Sequence, residues 1–174
     1  MMKMPIVDLL ARGRELAARG ERVSVLWQEP ESLAFVARGR EYRSEFHINP
    51  SDEVMLAVKG EMRLHYRTPE GKEEVAVVPE GSTIYTPAGT PHSPRFATDS
   101  YLLVIERRRR AGEVDRFLWF CPSCDAPLHE EAAEVLDYRS DPVFRVCPPG
   151  SPPAFCPCAD FGQGDRQHAA GCRC

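Results

Sequence analysis

The chain has 174 residues with 22 basic and 26 acidic side chains, so its formal net charge is −4. This length suffices for one barrel domain with its own core and a small appendage, and the charge gives no reason to expect nucleic acid or an anionic membrane as a partner. No apolar run approaches the roughly 20 residues needed to span a bilayer, and the amino-terminal residues lack the core of a signal peptide. The sequence therefore predicts a cytoplasmic protein.

The first predicted element is a helix over Pro5–Arg19, because apolar residues recur there at helical spacing and Gly20 follows as a stop signal. From Val23 the apolar pattern changes to a period of two, which is typical of strands. The predicted strands are Val23–Trp27, Leu33–Arg38, Arg43–Ile48, Val54–Val58, Met62–Tyr66, Glu73–Val78, Thr83–Thr86 and Tyr101–Glu106. Turn residues such as Gly60 and Gly81 separate them. Many short antiparallel strands with such turns indicate an all-β jelly-roll barrel, here with one amino-terminal helix.

The composition changes after Trp119, where a region rich in Cys and Pro begins. All seven cysteines lie at or beyond Cys121. A disulfide framework would normally staple the whole domain, so this distribution indicates a local metal knuckle. The chain therefore divides into a barrel domain, residues 1–120, and a Cys-rich extension, residues 121–174, in which His129–Leu136 is expected to form a short helix.

Two short segments supply side chains that suit a metal ion. His47 and Glu53 lie six residues apart, and the segment Gly81–His92 follows the pattern G-x5-P-x-G-x2-H, which places His92 just past a rigid turn. Two His and one carboxylate suit Fe(II), Mn(II), Ni(II) or Zn(II) and leave coordination positions open for substrate and O₂. The two segments resemble the paired motifs of the cupin superfamily, with Asn49 in place of the second His of the usual first motif.

Several charged residues are expected to surround this metal site. Because side chains alternate along a strand, Arg43 should share a face with His47, where a buried cation needs an anion beside it. Arg95 follows the second motif closely enough to line the same mouth. Glu106 ends an apolar run and is either a substrate contact or a structural partner for an arginine. The run Arg107–Arg110 predicts a solvated strand end.

A resemblance to one family extends over roughly Val23–Glu131. Tyr42–Gly60, Pro79–Pro94 and the stretch Val104–Cys124, which contains V-I-E-R-R-R and W-F-C-x2-C, resemble 3-hydroxyanthranilate 3,4-dioxygenases. The resemblance implies a ring-cleaving dioxygenase whose partners are a small aromatic substrate, 3-hydroxyanthranilate, and O₂. It also implies Fe(II) held by His47, Glu53 and His92, and substrate contacts by Arg43, Arg95 and Glu106.

Bacterial members of this family also carry a rubredoxin-like iron site held by four cysteines. The resemblance implies a second, structural Fe or Zn site in this chain, with Cys121 and Cys124 as one half. Cys147 or the pair Cys156 and Cys158 completes it, and the interval from Cys124 favours the pair. A homodimer is also expected.

Two alternatives stay open. The first is the same iron chemistry on another ring, such as an aminophenol or a hydroxypyridine, including a pyridine nucleoside converted to an oxazinone. This alternative is favoured by Phe96 and by the interval from His92 to Arg95, which is one residue shorter than the family pattern. The second is a non-catalytic cupin that binds a small molecule or stores a metal. Oxygen uptake by the Fe(II)-loaded protein with a panel of rings separates these alternatives.

Overall fold

A computed structural model describes residues 4–40, 43–121, 124–135 and 138–139 of the chain. The described residues form one helix and eleven strands. In chain order the elements are α1 Leu9–Arg19, β1 Val23–Glu29, β2 Ser32–Arg38, β3 Phe46–Ile48, β4 Glu53–Lys59, β5 Met62–Arg67, β6 Glu73–Val78, β7 Thr83–Thr86, β8 His92–Phe96, β9 Tyr101–Glu106, β10 Asp115–Phe120 and β11 Pro127–Ala133. Within these ranges no helix has both the length and the apolar character needed to cross a membrane.

Two antiparallel sheets face each other across the core. One has five strands in the order β1-β2-β9-β4-β7, and the other has six in the order β11-β10-β3-β8-β5-β6. The main apolar cluster between the sheets includes Met55, Met62, Leu64, Leu102 and Val104. Burial of one face of each sheet against the other explains the period of two in the sequence. This arrangement confirms the predicted all-β fold, the double-stranded β-helix of the cupins.

The helix is shorter than the predicted Pro5–Arg19. It begins at Leu9 because the Asp8 side chain accepts a hydrogen bond from a backbone N–H of the first turn at 2.9 Å, which is a typical amino-terminal cap. It ends where Gly20 adopts a left-handed conformation with φ of 68°. The buried Leu16 packs the helix against β2 and β9.

Three of the predicted strands, β6, β7 and β9, have the predicted bounds, whereas β8, β10 and β11 were not predicted. Strand β8 contains Pro94, which cannot donate a ladder hydrogen bond and therefore argues against an inner strand. The structure accommodates Pro94 because β3 pairs with β8 only at His92, opposite His47. Beyond His92, β8 pairs on its other side with β5 alone.

The predicted helix over His129–Leu136 is wrong in its described part, because β11 runs through Ala133 and pairs with β10. Pairing with the edge of β10 outweighs the helical preference of the Glu and Ala residues in this stretch. The six-stranded sheet thus continues past the predicted domain boundary at residue 120. Cys147, Cys156 and Cys158 lie outside the described residues.

Candidate metal centre

Three strands bring the predicted ligands together at the centre of the barrel. His47 of β3 lies opposite His92 of β8 in the six-stranded sheet, and Glu53 begins β4 in the facing sheet. One potential ligand atom from each residue lies within 4.8 Å of the others. Atoms bonded to one cation at about 2.0–2.2 Å lie within roughly 4.4 Å of each other, so small shifts close the site around a metal.

The contacts of Glu53 and His92 also fit a metal. Nδ1 of His92 donates a hydrogen bond to Thr90 O at 2.9 Å, which leaves Nε2 as the ligand atom. The distance from this Nε2 to Oε2 of Glu53 is 2.8 Å. The angles do not fit a hydrogen bond, so this buried oxygen has no hydrogen-bond partner among the described residues. Burial raises the pKa of Glu53, but the opposing effects of His92, His47 and Arg109 are larger and bring the pKa to about 2. Glu53 is therefore ionised and suited to bind a cation.

A buried carboxylate orients His47. Asp115 Oδ2 lies 2.7 Å from Nε2 of His47, and the imidazole ring stacks on Phe117 with a centroid separation of 5.1 Å. Arg109 donates two hydrogen bonds to Asp115, one of them from Nη2 to Oδ2 at 2.7 Å. Burial raises the pKa of Asp115, but the hydrogen bonds from Arg109 and His47 outweigh it and lower the pKa. A charged Asp115 thus fixes the orientation of His47.

Glu106 lies beside the ligands at the end of β9, with its side chain only 2% exposed. Its carboxylate accepts a hydrogen bond from Nδ2 of Asn49 and lies 3.2 Å from Nη1 of Arg109. Burial and the negative charge of Glu53 raise the pKa of Glu106 to about 8. Glu106 pairs with Arg109 and also lines the metal cavity, so its position fits both a structural partner for an arginine and a substrate contact, and the choice between them stays open.

The ligands open into a cavity of about 140 Å³. Its walls are apolar, with Phe35, Met55 and Val104 from the five-stranded sheet and Pro94 and Phe96 from β8. An apolar cavity of about 150 Å³ is large enough for benzene, so this cavity can hold a single aromatic ring. Charged groups also line it, among them Arg43, Glu106 and Arg109.

The predicted substrate contacts have different positions. Arg43 lines the metal cavity although it precedes β3, and its Nε lies 3.0 Å from the buried carboxylate of Glu45. Arg95 does not line this cavity, because His92, Pro94 and Phe96 occupy the alternate positions of β8 that face it. Arg95 lies on the other face of the strand and borders an adjoining cavity of about 530 Å³. The substrate contact by Arg95 therefore stays a prediction. The position of Arg95 outside the metal cavity does not support it.

Three residues at the site were not predicted to act there: Asn49, Arg109 and Asp115. The Arg109 side chain is 6% exposed, within the run that was expected to be a solvated strand end. That expectation is wrong for Arg109, because the carboxylates of Asp115 and Glu106 lie within its reach. Asn49 was noted only as a missing ligand, whereas its side chain connects Glu106 to the backbone N–H of Ser51.

The Cys region begins directly after β10, and Cys121 and Cys124 are among its described residues. Cys121 is buried and Cys124 is exposed, and Asp125 N donates to Cys121 O at 2.9 Å. Asp125 adopts a left-handed conformation with φ of 61°, and its carboxylate lies 2.5 Å from the buried guanidinium of Arg67. Arg67 also stacks on Phe120 at 3.8 Å. These contacts fasten Asp125, the residue after Cys124, to the barrel.

A double-stranded β-helix with two His and one carboxylate at its centre defines a metal-binding cupin. A model of the 3-hydroxyanthranilic acid dioxygenase family matches residues 22–145. The 3-hydroxyanthranilate 3,4-dioxygenase of Bacillus cereus (strain ATCC 10987 / NRS 248) is 42% identical over 153 residues, which cover 82% of this chain and 86% of the relative. The enzyme of the same name from Paraburkholderia phytofirmans is 33% identical over 124 residues, which cover 70% and 71%. The chain belongs to the 3-hydroxyanthranilic acid dioxygenase family.

A crystal structure of a protein from Bacillus halodurans is similar in fold. It matches with a TM-score of 0.51 and 14% sequence identity, covering 64% of this chain and 86% of its own. At this identity the similarity concerns the fold alone.

Proposed function

We propose that this protein is a non-haem Fe(II) dioxygenase that opens the ring of 3-hydroxyanthranilate, or of a closely similar substituted aromatic ring, with O₂. The observation that carries the proposal is the cluster of His47, Glu53 and His92 at the end of a ring-sized cavity. The proposed substrate comes from the names of two relatives, which are 42% and 33% identical to this chain in sequence.

The three ligands would hold the metal through two imidazole nitrogens and one carboxylate oxygen. When bound, Fe(II) would provide the chemistry that activates O₂ and would increase the acidity of a ring hydroxyl. The apolar walls of the cavity exclude water and hold the ring in one orientation. Asp115 and Thr90 orient the two His ligands, so the ligand geometry exists before substrate arrives.

Glu106 is proposed to bind the amino or hydroxyl group of the ring. Its carboxylate lines the cavity and is already held by Asn49 and Arg109. A side chain held in this way meets a ring substituent without a further change of rotamer, and its carbonyl oxygen can accept a hydrogen bond even when the raised pKa keeps the carboxyl group protonated. Arg109 would serve as a positioning residue, because it contacts both Glu106 and Asp115.

Arg43 is proposed to bind the carboxylate of the substrate. It lines the cavity and lies four residues before His47 in the chain. Its guanidinium already lies beside Glu45, which restricts its side chain and lowers the entropy lost on binding. A charge-assisted contact with a carboxylate suits this guanidinium geometry.

A second, structural Fe or Zn site at Cys121, Cys124, Cys156 and Cys158 also remains a proposal. The hydrogen bond from Asp125 N to Cys121 O and the ion pair of Arg67 with Asp125 hold Cys121 close to the residue after Cys124, which supports the half of the site formed by these two cysteines. The homodimer and the cytoplasmic location expected from the sequence are proposals too. Size-exclusion chromatography with light scattering tests the first, and cell fractionation tests the second.

Removal of Glu53 tests the proposed function. The protein is loaded with Fe(II) under nitrogen, mixed with air-saturated buffer and one ring at a time, and followed by O₂ uptake and ultraviolet absorption. We expect uptake with 3-hydroxyanthranilate by the wild type, and neither uptake nor barrel iron in Glu53→Ala. Glu113→Gln, which removes a carboxylate remote from the ligands, is the matched control and should behave as the wild type.

The substrate panel also contains 2-aminophenol and a 3-hydroxypyridine. Turnover of one of these rings while 3-hydroxyanthranilate is inert would contradict the proposed substrate but not the iron chemistry. Inertness toward all three rings with iron fully loaded would contradict the enzyme proposal and leave a binding protein. Full barrel iron in Glu53→Ala would contradict the ligand assignment.

A further inference from the structure

Thr86, the last residue of β7, lies directly opposite the metal ligand Glu53. The two residues are partners in the register of β4 with β7, and Cβ atoms of such partners lie about 4.5–5.5 Å apart. Both residues are buried, whereas their neighbours Val54 and Tyr85 are exposed. Because side chains alternate along a strand, Glu53 and Thr86 both point between the two sheets.

Each member of this pair carries a buried polar atom that has no hydrogen-bond partner among the described residues. These atoms are Oγ1 of Thr86 and Oε2 of Glu53. Such atoms are rare in folded proteins, because burial removes their hydrogen bonds to water and nothing replaces them. A hydroxyl group donates and a carboxylate accepts, so the two side chains can satisfy each other.

Other polar side chains close to the ligand carboxylate already have partners. Oγ of Ser51 donates to Oδ1 of Asn49 at 2.9 Å, and Nδ2 of Asn49 donates to Glu106. Nη1 of Arg109 lies 3.2 Å from Glu106. Thr86 thus offers a hydroxyl donor that no described acceptor uses.

A carboxylate that binds a metal is usually held by a hydrogen bond as well. Nε2 of His92 and Oε2 of Glu53 are 2.8 Å apart, so both atoms are placed to share one cation. A carboxylate has about four lone-pair sites on its two oxygens, so Glu53 can bind a cation and accept a hydrogen bond together. The donor would keep the carboxylate in the rotamer that binds the metal.

From this placement we propose that Thr86 is a positioning residue of the metal centre, whose hydroxyl donates a hydrogen bond to Glu53 when this carboxylate binds Fe(II). The two side chains adjust by rotation between staggered rotamers. This inference rests on the proposed function, since it assumes that the barrel site binds Fe(II).

The test measures Fe(II) affinity by competition with a chromophoric chelator under nitrogen, and Glu53→Ala corrects for iron bound elsewhere in the chain. Thr86→Val removes the hydroxyl and keeps a similar shape. Thr86→Ser and Thr86→Ala form a second pair that differs in the hydroxyl alone. The matched control is Thr83→Val, which removes another hydroxyl of β7, one that donates to Met55 O at 3.0 Å.

Two further measurements separate positioning from a general effect on the fold. The visible absorption of the Co(II)-substituted protein reports the ligand geometry, and urea unfolding of the metal-free protein reports its stability. Both are recorded for every variant and for the wild type.

We expect Thr86→Val and Thr86→Ala to lower the Fe(II) affinity about tenfold and to shift the Co(II) spectrum. Thr86→Ser should retain most of the affinity, and Thr83→Val should bind Fe(II) as the wild type does. Metal-free Thr86→Val should be at least as stable as the wild type, because Val removes a buried hydroxyl that has no partner. If Thr86→Val does not fold, the comparison of Thr86→Ser with Thr86→Ala decides the outcome.

Three results would overturn the inference. The first is a wild-type affinity and Co(II) spectrum in Thr86→Val, which would assign the hydroxyl to solvent in the separate cavity of about 540 Å³ that Thr86 lines. The second is equal affinity in Thr86→Ser and Thr86→Ala, and the third is an equal loss in Thr83→Val. In all three cases the wild type still binds Fe(II), so the proposed function stands. A wild type without barrel iron contradicts the proposed function, and the inference fails with it.

Discussion

Replacement of Asp115 by Asn removes one negative charge and preserves the size of the side chain. In the wild type, this carboxylate lies 2.7 Å from His47 Nε2 and accepts two hydrogen bonds from Arg109. An amide in its place has only one oxygen to share between Arg109 and His47. The His47 ring then loses the charged group that fixes its orientation.

The magnitude of this effect follows from two contacts. Mutation of the carboxylate partner of a metal-binding His typically lowers metal affinity by about 10- to 100-fold, which corresponds to about 1.4–2.7 kcal/mol. The loss of one partner from a buried ion pair lowers the free energy of unfolding by about 3–5 kcal/mol. We expect the lower end of that range, because the amide oxygen of Asn still accepts a hydrogen bond from Arg109.

The assay is a competition for Fe(II) with a chromophoric chelator under nitrogen, together with urea unfolding of the metal-free protein. Glu113→Gln is the control, because Glu113 pairs with Arg107 and contacts none of the three ligands. Iron affinity in Asp115→Asn equal to that of the wild type would refute the role of Asp115. A comparable loss of affinity in Glu113→Gln would show that the effect is not specific to His47.

The remaining predictions concern the substrate, the acid stability and the second metal. Arg43→Ala should weaken substrate binding by about 1.5–3 kcal/mol, roughly tenfold to more than a hundredfold, and an unchanged Michaelis constant refutes its role. Arg107 lowers the pKa of Glu113 from 4.5 to about 2, so this ion pair stabilises the fold fully above pH 4.5 and progressively less as the pH falls toward 2. The difference in unfolding free energy between the wild type and Glu113→Gln should therefore be about 1 kcal/mol at pH 6 and smaller at pH 3; a constant difference contradicts this. Cys121→Ser should lose the structural metal but keep barrel iron, and unchanged total metal content counts against the second site.

The ligand cluster was predictable from the sequence because it depends on local spacing. His47 and Glu53 follow a strand and its turn, and His92 follows a turn that Gly and Pro residues define. Once the chain folds as a β-barrel, these short segments meet at its centre. The fold class was predictable for a similar reason, since the period of two extends over most of the barrel strands.

The residues that support the ligands depend on tertiary contacts that spacing does not reveal. Arg109 lies in a run of four arginines, and nothing in the sequence distinguishes it from the other three. Its role depends on its contact with Asp115, which begins the unpredicted strand β10. The face on which Arg95 lies can be predicted only if β8 is recognised as a strand. Pro94 argued against a strand there, so β8 was not predicted from the sequence. The alternation that places Phe96 in the cavity follows as soon as this strand is recognised.

Oxygen stoichiometry tests the central claim most directly. The Fe(II)-loaded wild type is given a limiting amount of 3-hydroxyanthranilate, and O₂ consumption and hydrogen peroxide are measured together, with Glu53→Ala as the control for spontaneous oxidation. A ring-cleaving dioxygenase consumes one O₂ per ring and releases no peroxide, and we expect this result for the wild type alone. No consumption above the Glu53→Ala control, or consumption matched by released peroxide, would contradict the account.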